Sequence, residues 1–393
     1  MTDVIIIGAG PVGLLTAYRL RKLGFSCLIV DKRRYLSSAS RASTFQPAVL
    51  DRLEGLGLLD PLLSNGYQVK VLRDLDLSSL NFRDFALSAI AGETRNPYRL
   101  HLEQYWLSRL MVESLQKSST DVTDSVLWGH ELVQILDNPK ADDDRPIQIM
   151  LNHLDSSNPL IVEAKWLIAA DGAKSTVRSL LHVPFEGMDI NSPVVRMIFQ
   201  QLPLAVSSLL EGLTYARHPH GNLSALRMYR AWRIILRPKF DEVDDALTDE
   251  CWGKKKLAHL FERVEVSAVW DTLAVQTDLY SVAQRFVQKR LHGRCLFIGD
   301  AAHITNTRGG FNMNFGLLEG LELAESIGLS IQSFYSFGLD SIINWAKRWE
   351  NLTQSVLIPR TARLLNGGGS PFLASNQAMI VKELREASLL DIA

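Results

Sequence analysis

The sequence predicts an α/β chain: a dinucleotide-binding unit built on parallel strands, interrupted by a β-rich insertion and followed by helices. Three stretches carry that prediction. They are DVIIIGAGPVGLLTAYRLRKLGFSCLIVDKRR from residue 3, AKWLIAADGAKSTVR from Ala164 to Arg178, and GRCLFIGDAAHITNTRGGFNMN from Gly293 to Asn314.

The first stretch has the order strand, tight turn, helix, strand. Val4 to Ile7 is a continuous β-branched run, the pattern of a parallel strand buried on both faces. Gly8, Gly10 and Gly13 form G-x-G-x-x-G in the turn. The first glycine permits the turn, the second lets the backbone approach a pyrophosphate, and the third lets the helix pack on the strand. Leu14, Leu15, Tyr18 and Leu20 give an amphipathic helix that ends at Gly24. Cys27 to Val30 is the second strand, and Asp31 stands at its end, where a carboxylate can accept ribose hydroxyls. The arrangement reads as dinucleotide binding, without choosing between NAD(P) and FAD.

The second stretch is an apolar strand that runs into Asp171-Gly172, with a short helix beginning near Ala173. The third is a small strand, Cys295 to Ile298, followed by Gly299-Asp300 and a glycine-rich turn. Both acids also suit turn formation or helix capping.

Bulk composition sets the limits. The chain has 393 residues, 47% hydrophobic and 22% charged, enough for two or three units sharing cores. A net charge of −1 and a pI near 6.8 give no sequence-wide electrostatic case for nucleic acid or an acidic membrane. Cys27, Cys251 and Cys295 have no metal-ligand spacing and read as reduced thiols, and no metal site is expected. The first strand begins at once, without a basic leader and cleavage site, and no apolar run is long enough to span a membrane. A cytoplasmic protein is expected.

Taken in order, the glycine turn, the mid-chain Asp-Gly turn and the later Gly-Asp turn resemble the FAD-dependent aromatic hydroxylases typified by para-hydroxybenzoate hydroxylase. RASTFQPAVLDRLEGLGLLDPL from Arg41 and LEQYWLSRLMVESL from Leu102 are also similar to that family's intervening segments, and the likeness covers about residues 1 to 360. The resemblance implies a Rossmann-like FAD-binding domain of the GR2 type with an inserted mixed β-sheet substrate domain and C-terminal helices. It implies FAD as cofactor and NAD(P)H as a transient co-substrate. It puts Asp31 on the adenosine ribose, Arg41 beside the pyrophosphate and Gln104 on the flavin nucleotide. Asp171 would lie near the pyrophosphate, and Asp300 on the ribityl chain, more enclosed than Asp31. The turn from Gly309 to Asn314, including Gly310, Asn312 and Met313, would offer N–H groups at a helix N-terminus to the flavin's pyrimidine edge. On residue type alone, Arg41 and Gln104 also suit a solvated surface, and His303 suits a structural role.

The chain departs from the family pattern at Thr307, where proline is usual, at Asn312, where glycine is usual, and at Glu319, where aspartate is common. Asparagine tolerates positive φ but adds bulk, so Asn312 either perturbs the flavin or points away from it. Arg308 has two readings, a solvated charge or a cation near the flavin or an anionic substrate.

Between the two acid turns the sequence has strand character. SPVVRMIFQ from Ser192 and LSALRMYRAWRIILRP from Leu223 read as strands, with HPHGN as a hairpin turn. Alternation puts Leu223, Ala225, Arg227 and Tyr229 on one face and Ser224, Leu226, Met228 and Arg230 on the other. A phenol-hydroxylating site needs a route for the phenol proton, and Tyr215, His218, Arg227 and Tyr229 are the candidates. Residues 341 to 365 form an amphipathic helical stretch with Trp345 and Trp349 one turn apart, expected to pack on the FAD domain.

The expected division is 1–185 with 286–335 for FAD, 186–285 for substrate, and 336–393 as C-terminal helices. The expected activity is a FAD-dependent, NAD(P)H-using monooxygenase that hydroxylates or epoxidises an aromatic or polyketide-like small molecule. The alternatives are a FAD oxidase or dehydrogenase without oxygen insertion, or a degenerate flavoprotein.

Overall fold

The computed structural model describes residues 1–39, 42–117, 126–156, 158–264, 266, 269–332, 337–365 and 377–393. The chain divides into two compact units. One comprises Met1–Ala42, Glu103–Met188 and Gln284–Ala362, and the other Ser43–Leu102, Asp189–Ala283 and Arg363–Ala393. Residues 43–102, expected in the FAD-binding stretch, cluster instead with the β-rich insertion. The C-terminal helices are shared, with those up to Ala362 in the first unit and the rest in the second.

In the first unit the strands Cys295–Phe297, Pro159–Ala169, Thr2–Ile7, Cys27–Asp31 and Val126–Trp128 lie side by side in that order, all parallel. Leu291–His292 flanks one edge antiparallel, and the hairpin His130–Asp137 with Ile147–His153 continues from Pro159–Ala169. The Asn138–Pro146 stretch closes that hairpin, as its composition suggests. The central strands are apolar on both faces because helices cover the sheet, and Val4, Ile5, Ile6, Ile29, Val30 and Ile168 are fully buried.

The helices Pro11–Lys22 and Phe311–Gln332 run against each other. A Cβ on Gly320 would lie 2.2 Å from Thr16 Oγ1, so this glycine sets how closely the two can approach. The helix Phe337–Leu352 packs on Phe311–Gln332, as its two tryptophans predict. Trp345 Nε1 donates to the Glu319 carbonyl at 3.2 Å, and the Trp349 ring meets Phe315 edge-on at 4.8 Å.

The second unit is built on a mixed sheet. Its strands Glu186–Phe199, Trp232–Leu236, Gly221–Arg227, Leu213–His218, Val71–Asp76 and Phe82–Ala86 are antiparallel, except that Leu213–His218 pairs with Val71–Asp76 in parallel. A small sheet of Thr44–Phe45, Arg99–His101 and Tyr67–Val69 stands beside it. The HPHGN turn is a hairpin, with His218 paired to Gly221. The alternation correctly separates two faces. Leu223 and Ala225 join a core with Trp252, Leu257 and Trp270, while Leu226 joins a second core with Leu72, Leu213 and Leu384. The strand stops at Arg227, however. Met228 N donates to Ala231 O at 2.8 Å, so Tyr229 and Arg230 form a turn rather than more strand, and Tyr229 is exposed.

Trp349 is 1% exposed, and its indole also donates to Glu322 Oε2 at 3.1 Å. Trp349→Ala is expected to cost roughly 3–5 kcal/mol, in the range of large-to-small core changes. Urea denaturation of the variant against the parent measures it.

Candidate active site

The parallel sheet brings the three sequence motifs into one row. Gly8 N donates to Val30 O at 2.8 Å, Ala170 N to Ile7 O at 2.8 Å, and Ile298 N to Ala169 O at 3.0 Å. Each bond ties the start of a turn to the end of the neighbouring strand. Asp31, the Gly8 turn, Asp171 and Gly299-Asp300 therefore stand at the carboxyl ends of four adjacent strands, where open α/β sheets bind their ligands.

The glycine turn is dictated by contact. Gly8 has φ of 110°, and a Cβ there would sit 2.3 Å from Ala170 O. A Cβ on Gly13 would be 2.2 Å from Gly8 O, so the third glycine packs the helix down. A Cβ on Gly10 would meet nothing within 4 Å, which leaves the backbone there approachable. Pro11 opens the helix, no side chain caps it, and its first turn carries no acid.

Asp31 is buried and has acquired a partner that the sequence did not disclose. Its Oδ2 accepts from Ala9 N at 2.8 Å and Arg33 Nη2 at 2.6 Å, and its Oδ1 accepts from Arg33 N and Nε, both at 2.9 Å. Burial alone would raise this carboxyl, but the Arg33 guanidinium and the surrounding N–H groups hold it below the usual aspartate range. Asp31 thus fixes the Gly8–Ala9 turn first. A ribose would share it with Arg33, whose side chain is part-exposed.

Asp171 does cap a helix. Its Oδ2 accepts from Thr176 N at 2.6 Å and Val177 N at 3.1 Å. Its Oδ1 is buried and accepts no hydrogen bond from the described residues, and burial holds the carboxyl above the usual range. The Asp171 backbone lies beside the glycine turn, because a Gly8 Cβ would also be 2.9 Å from Asp171 Cα. Gln104 begins the helix Gln104–Lys117, and its Oε1 accepts from Ala42 N at 3.2 Å. It fastens the segment that follows Arg41, which itself lies outside the described residues.

The Gly-Asp turn is organised by Asn312. Asn312 Nδ2 donates to Asp300 Oδ1 at 2.7 Å, and its Oδ1 faces His303 Nδ1 at 2.8 Å. The carboxamide can take only this orientation, since reversing it would set its oxygen against the Asp300 carboxylate. His303 Nδ1 therefore donates. Its Nε2 faces Glu319 Oε2 at 3.2 Å, and Glu319 Oε2 also accepts from Gly299 N at 2.8 Å. Arg290 Nη1 lies 2.8 Å from Glu319 Oε1 as an ion pair rather than an aligned hydrogen bond. Arg290, His303 and Glu319 are all fully buried.

The positive φ expected near Asn312 falls elsewhere, at Gly309 (85°) and Gly310 (67°). Asn312 lies in the first turn of the helix Phe311–Gln332. Asn314 Nδ2 closes on Gly310 O at 2.7 Å and braces the turn, and Met313 is buried. The order of enclosure is also reversed, because Asp300 is exposed and Asp31 buried.

The four candidates for proton handling do not converge. His218 stands at the hairpin turn with His220, His259 and Glu262, and burial lowers its pKa. Arg227 sits over Trp232 at the other end of the same hairpin, with Tyr229 in the turn beyond. Tyr215, mid-strand, interacts with Arg99. Among the described residues no group of three His, Cys, Asp or Glu could hold a metal ion.

The donor set fits a flavin dinucleotide: an approachable glycine turn, a buried Asp171 oxygen unmatched among the described residues, and a second helix start with two left-handed glycines. A parallel sheet with these turns at its carboxyl edge defines a dinucleotide-binding oxidoreductase. The FAD binding domain family model matches residues 1–334, and the chain belongs to that family. It is 30% identical over 328 residues to 6-hydroxy-3-succinoylpyridine 3-monooxygenase of Pseudomonas putida, covering 81% of this chain and 77% of that one. It is 25% identical over 354 residues to para-nitrophenol 4-monooxygenase of a Pseudomonas species, covering 86% and 82%. The fold matches the crystal structure of a p-nitrophenol 4-monooxygenase from Pseudomonas putida with a TM-score of 0.81, 24% identity and coverage of 99% and 97%. The protein is an FAD-dependent monooxygenase. Among the described residues no helix is long and apolar enough to cross a membrane.

Two outcomes follow from the site geometry. The folded Asp31 carboxyl titrates below the unfolded one, so its contribution to stability is complete above about pH 4, the ordinary aspartate value. That contribution is lost as pH falls through the depressed folded value. Asp31→Asn should flatten the acid limb of a plot of melting temperature against pH. Asn312→Gly removes the donor to Asp300 and the acceptor for His303. FAD affinity of the apo-protein should fall about tenfold, near the lower end of a charge-assisted hydrogen bond, as read by fluorescence titration. Unchanged affinity and flavin spectrum would mean that Asp300 needs no support from Asn312.

Proposed function

We propose that this monooxygenase hydroxylates a small aromatic or nitrogen-heteroaromatic compound that already bears an ionisable hydroxyl, using NAD(P)H as a transient co-substrate. The observation that carries the reading is the row of turns at the carboxyl ends of four adjacent parallel strands. The two relatives described above are named for oxygenation of such rings, a hydroxypyridine and a nitrophenol. Bound FAD supplies the redox chemistry: reduced by NAD(P)H, it activates dioxygen so that one oxygen atom reaches the ring and the other leaves as water.

The chain's own part is binding and orientation. The Gly8–Gly13 turn and the N-terminus of Pro11–Lys22 would take the pyrophosphate, with Asp171 behind the turn. Asp31 would hold the adenosine ribose alongside Arg33, and Asp300, steadied by Asn312, the ribityl hydroxyls. Gln104 and Arg41 would contact the nucleotide. The turn carrying Gly310, Asn312, Met313 and Asn314 would face the pyrimidine edge, where its N–H groups favour negative charge. The first unit serves as the FAD-binding domain and the mixed sheet of the second as the substrate-binding domain, with Tyr215 the favoured handler of the hydroxyl proton. An exposed free thiol at Cys251 suits the reducing cytoplasm.

Purified protein should be yellow and release FAD on heating. NADH or NADPH consumption should rise several-fold with a phenol or hydroxypyridine present, and label from ¹⁸O₂ should enter the product. Ligand-stimulated consumption that yields only hydrogen peroxide across a broad phenol panel would make it an oxidase.

A further inference from the structure

The second unit buries a cluster of basic side chains around one strand. Arg99 and Arg233 are 2% and 3% exposed, and His101 is fully buried. Arg99 and His101 are two apart on the strand Arg99–His101 and so project to the same face. The charges of both arginines act on His101, and burial with that repulsion pushes its imidazole down to about 3. Among the described residues Tyr215, which hydrogen-bonds the guanidinium, is the one group that favours the charged form of Arg99 against its burial, and no carboxylate does so. Of the five N–H bonds of Arg99, one from Nη2 reaches Ala387 O at 3.0 Å, at the end of the helix Gln377–Ala387. Its Nε and Nη1 are buried and meet no acceptor among the described residues. His101 Nδ1 lies 3.0 Å from the Arg227 carbonyl and must donate to it, which leaves Nε2 as a bare, buried acceptor.

A packed interior retains a buried guanidinium without a counter-ion only at a marked cost in stability, because desolvation is not offset. Sites that break a local rule in this way are where ligands complete the structure. The donors call for an anionic oxygen, and the arginine fork is the side chain best shaped to hold one. His101, kept neutral, adds no further positive charge, and its bare Nε2 accepts only from a donor other than the anionic oxygen, such as water.

We propose that Arg99, with Arg233 alongside and the neutral His101 flanking it, forms an anion subsite that recognises an oxygen anion of the aromatic substrate. This rests on the reading of the second unit as the substrate-binding domain. The anionic oxygen has two sources, the ionised ring hydroxyl or a carboxylate borne by the ring. Arg99 also holds the helix Gln377–Ala387, so the subsite couples substrate charge to the placement of that helix.

Equilibrium dialysis of the holoprotein separates these sources without requiring turnover. The probes are 4-nitrophenolate against nitrobenzene, and 4-methoxybenzoate against 4-methylanisole. At least one anion should bind tenfold or more tighter than its neutral counterpart, the first pair marking the hydroxyl and the second the carboxylate. Arg99→Met should reduce that preference to within about twofold of parity, and Arg99→Lys should restore most of it. Where Arg99→Met fails to fold, Arg233→Met carries the same expectation. The proposal is overturned if neither anion outbinds its neutral partner in the wild type, or if a folded charge-removing variant keeps the preference. Anion preference without turnover would leave the subsite standing and sink the monooxygenation of phenols. Turnover without anion preference would do the reverse.

Discussion

The carboxylate of Glu319 is the contact on which the architecture of the Gly-Asp turn depends. It is fully buried, and one oxygen accepts from the backbone of Gly299 and faces His303, while the other is paired with Arg290. Its own carbonyl receives Trp345. One residue on the helix Phe311–Gln332 thereby joins the end of a parallel strand, the start of the next turn and the following helix. Arg290 extends the tie, since its Nη2 donates to Thr353 Oγ1 at 2.7 Å and its N to Glu350 Oε1 at 2.7 Å. A buried carboxylate without these donors would be strongly destabilising, so the four elements must arrive together. The extra methylene of glutamate over the family's usual aspartate lengthens the arm that makes these contacts.

From that anchor the line of hydrogen bonds runs outward. Glu319 orients His303, His303 orients Asn312, and Asn312 holds Asp300 at the surface of the turn. The two Asn312 bonds have a fixed donor and acceptor, so the position of an exposed acid is set from the buried side of the turn. Asn312 occupies a place where glycine is usual without adopting the conformation that glycine would permit. Its side chain has been recruited into the relay, which is a gain in order at a turn otherwise rich in glycine.

The legible parts of the site were those governed by local constraints. Gly8 and Gly13 could be read because a side chain at either would strike backbone, and such an exclusion is written in the residue itself. The hairpin at His218–Gly221 and the helix bearing Trp345 and Trp349 followed from turn chemistry and periodicity. The partners of the acids were not legible. Arg33 is two residues from Asp31, yet nothing in the spacing says that its side chain folds back rather than out. Arg290 and Glu319 are 29 positions apart and meet only when the strand and helix are in place. The segment 43–102 looked continuous with the FAD-binding region because proximity along the chain was the only guide to its allegiance. The strand predicted through Tyr229 ended at Arg227, since a turn there satisfies Met228 and Ala231 and no glycine or proline announced it. Arg99 and His101 left a faint mark, polar residues alternating with leucines in a strand, which reads equally well as a half-exposed edge.

Each compact unit is assembled from three separated stretches of chain. The consequence reaches back to synthesis on the ribosome. The strand Thr2–Ile7 emerges early with only Cys27–Asp31 to pair with, and its other neighbour, Pro159–Ala169, follows after more than a hundred residues. Cys295–Phe297 and the Arg290–Glu319 pair arrive later still. A nascent chain therefore carries an apolar, unpaired strand edge until those later segments emerge, the condition under which holding chaperones earn their place.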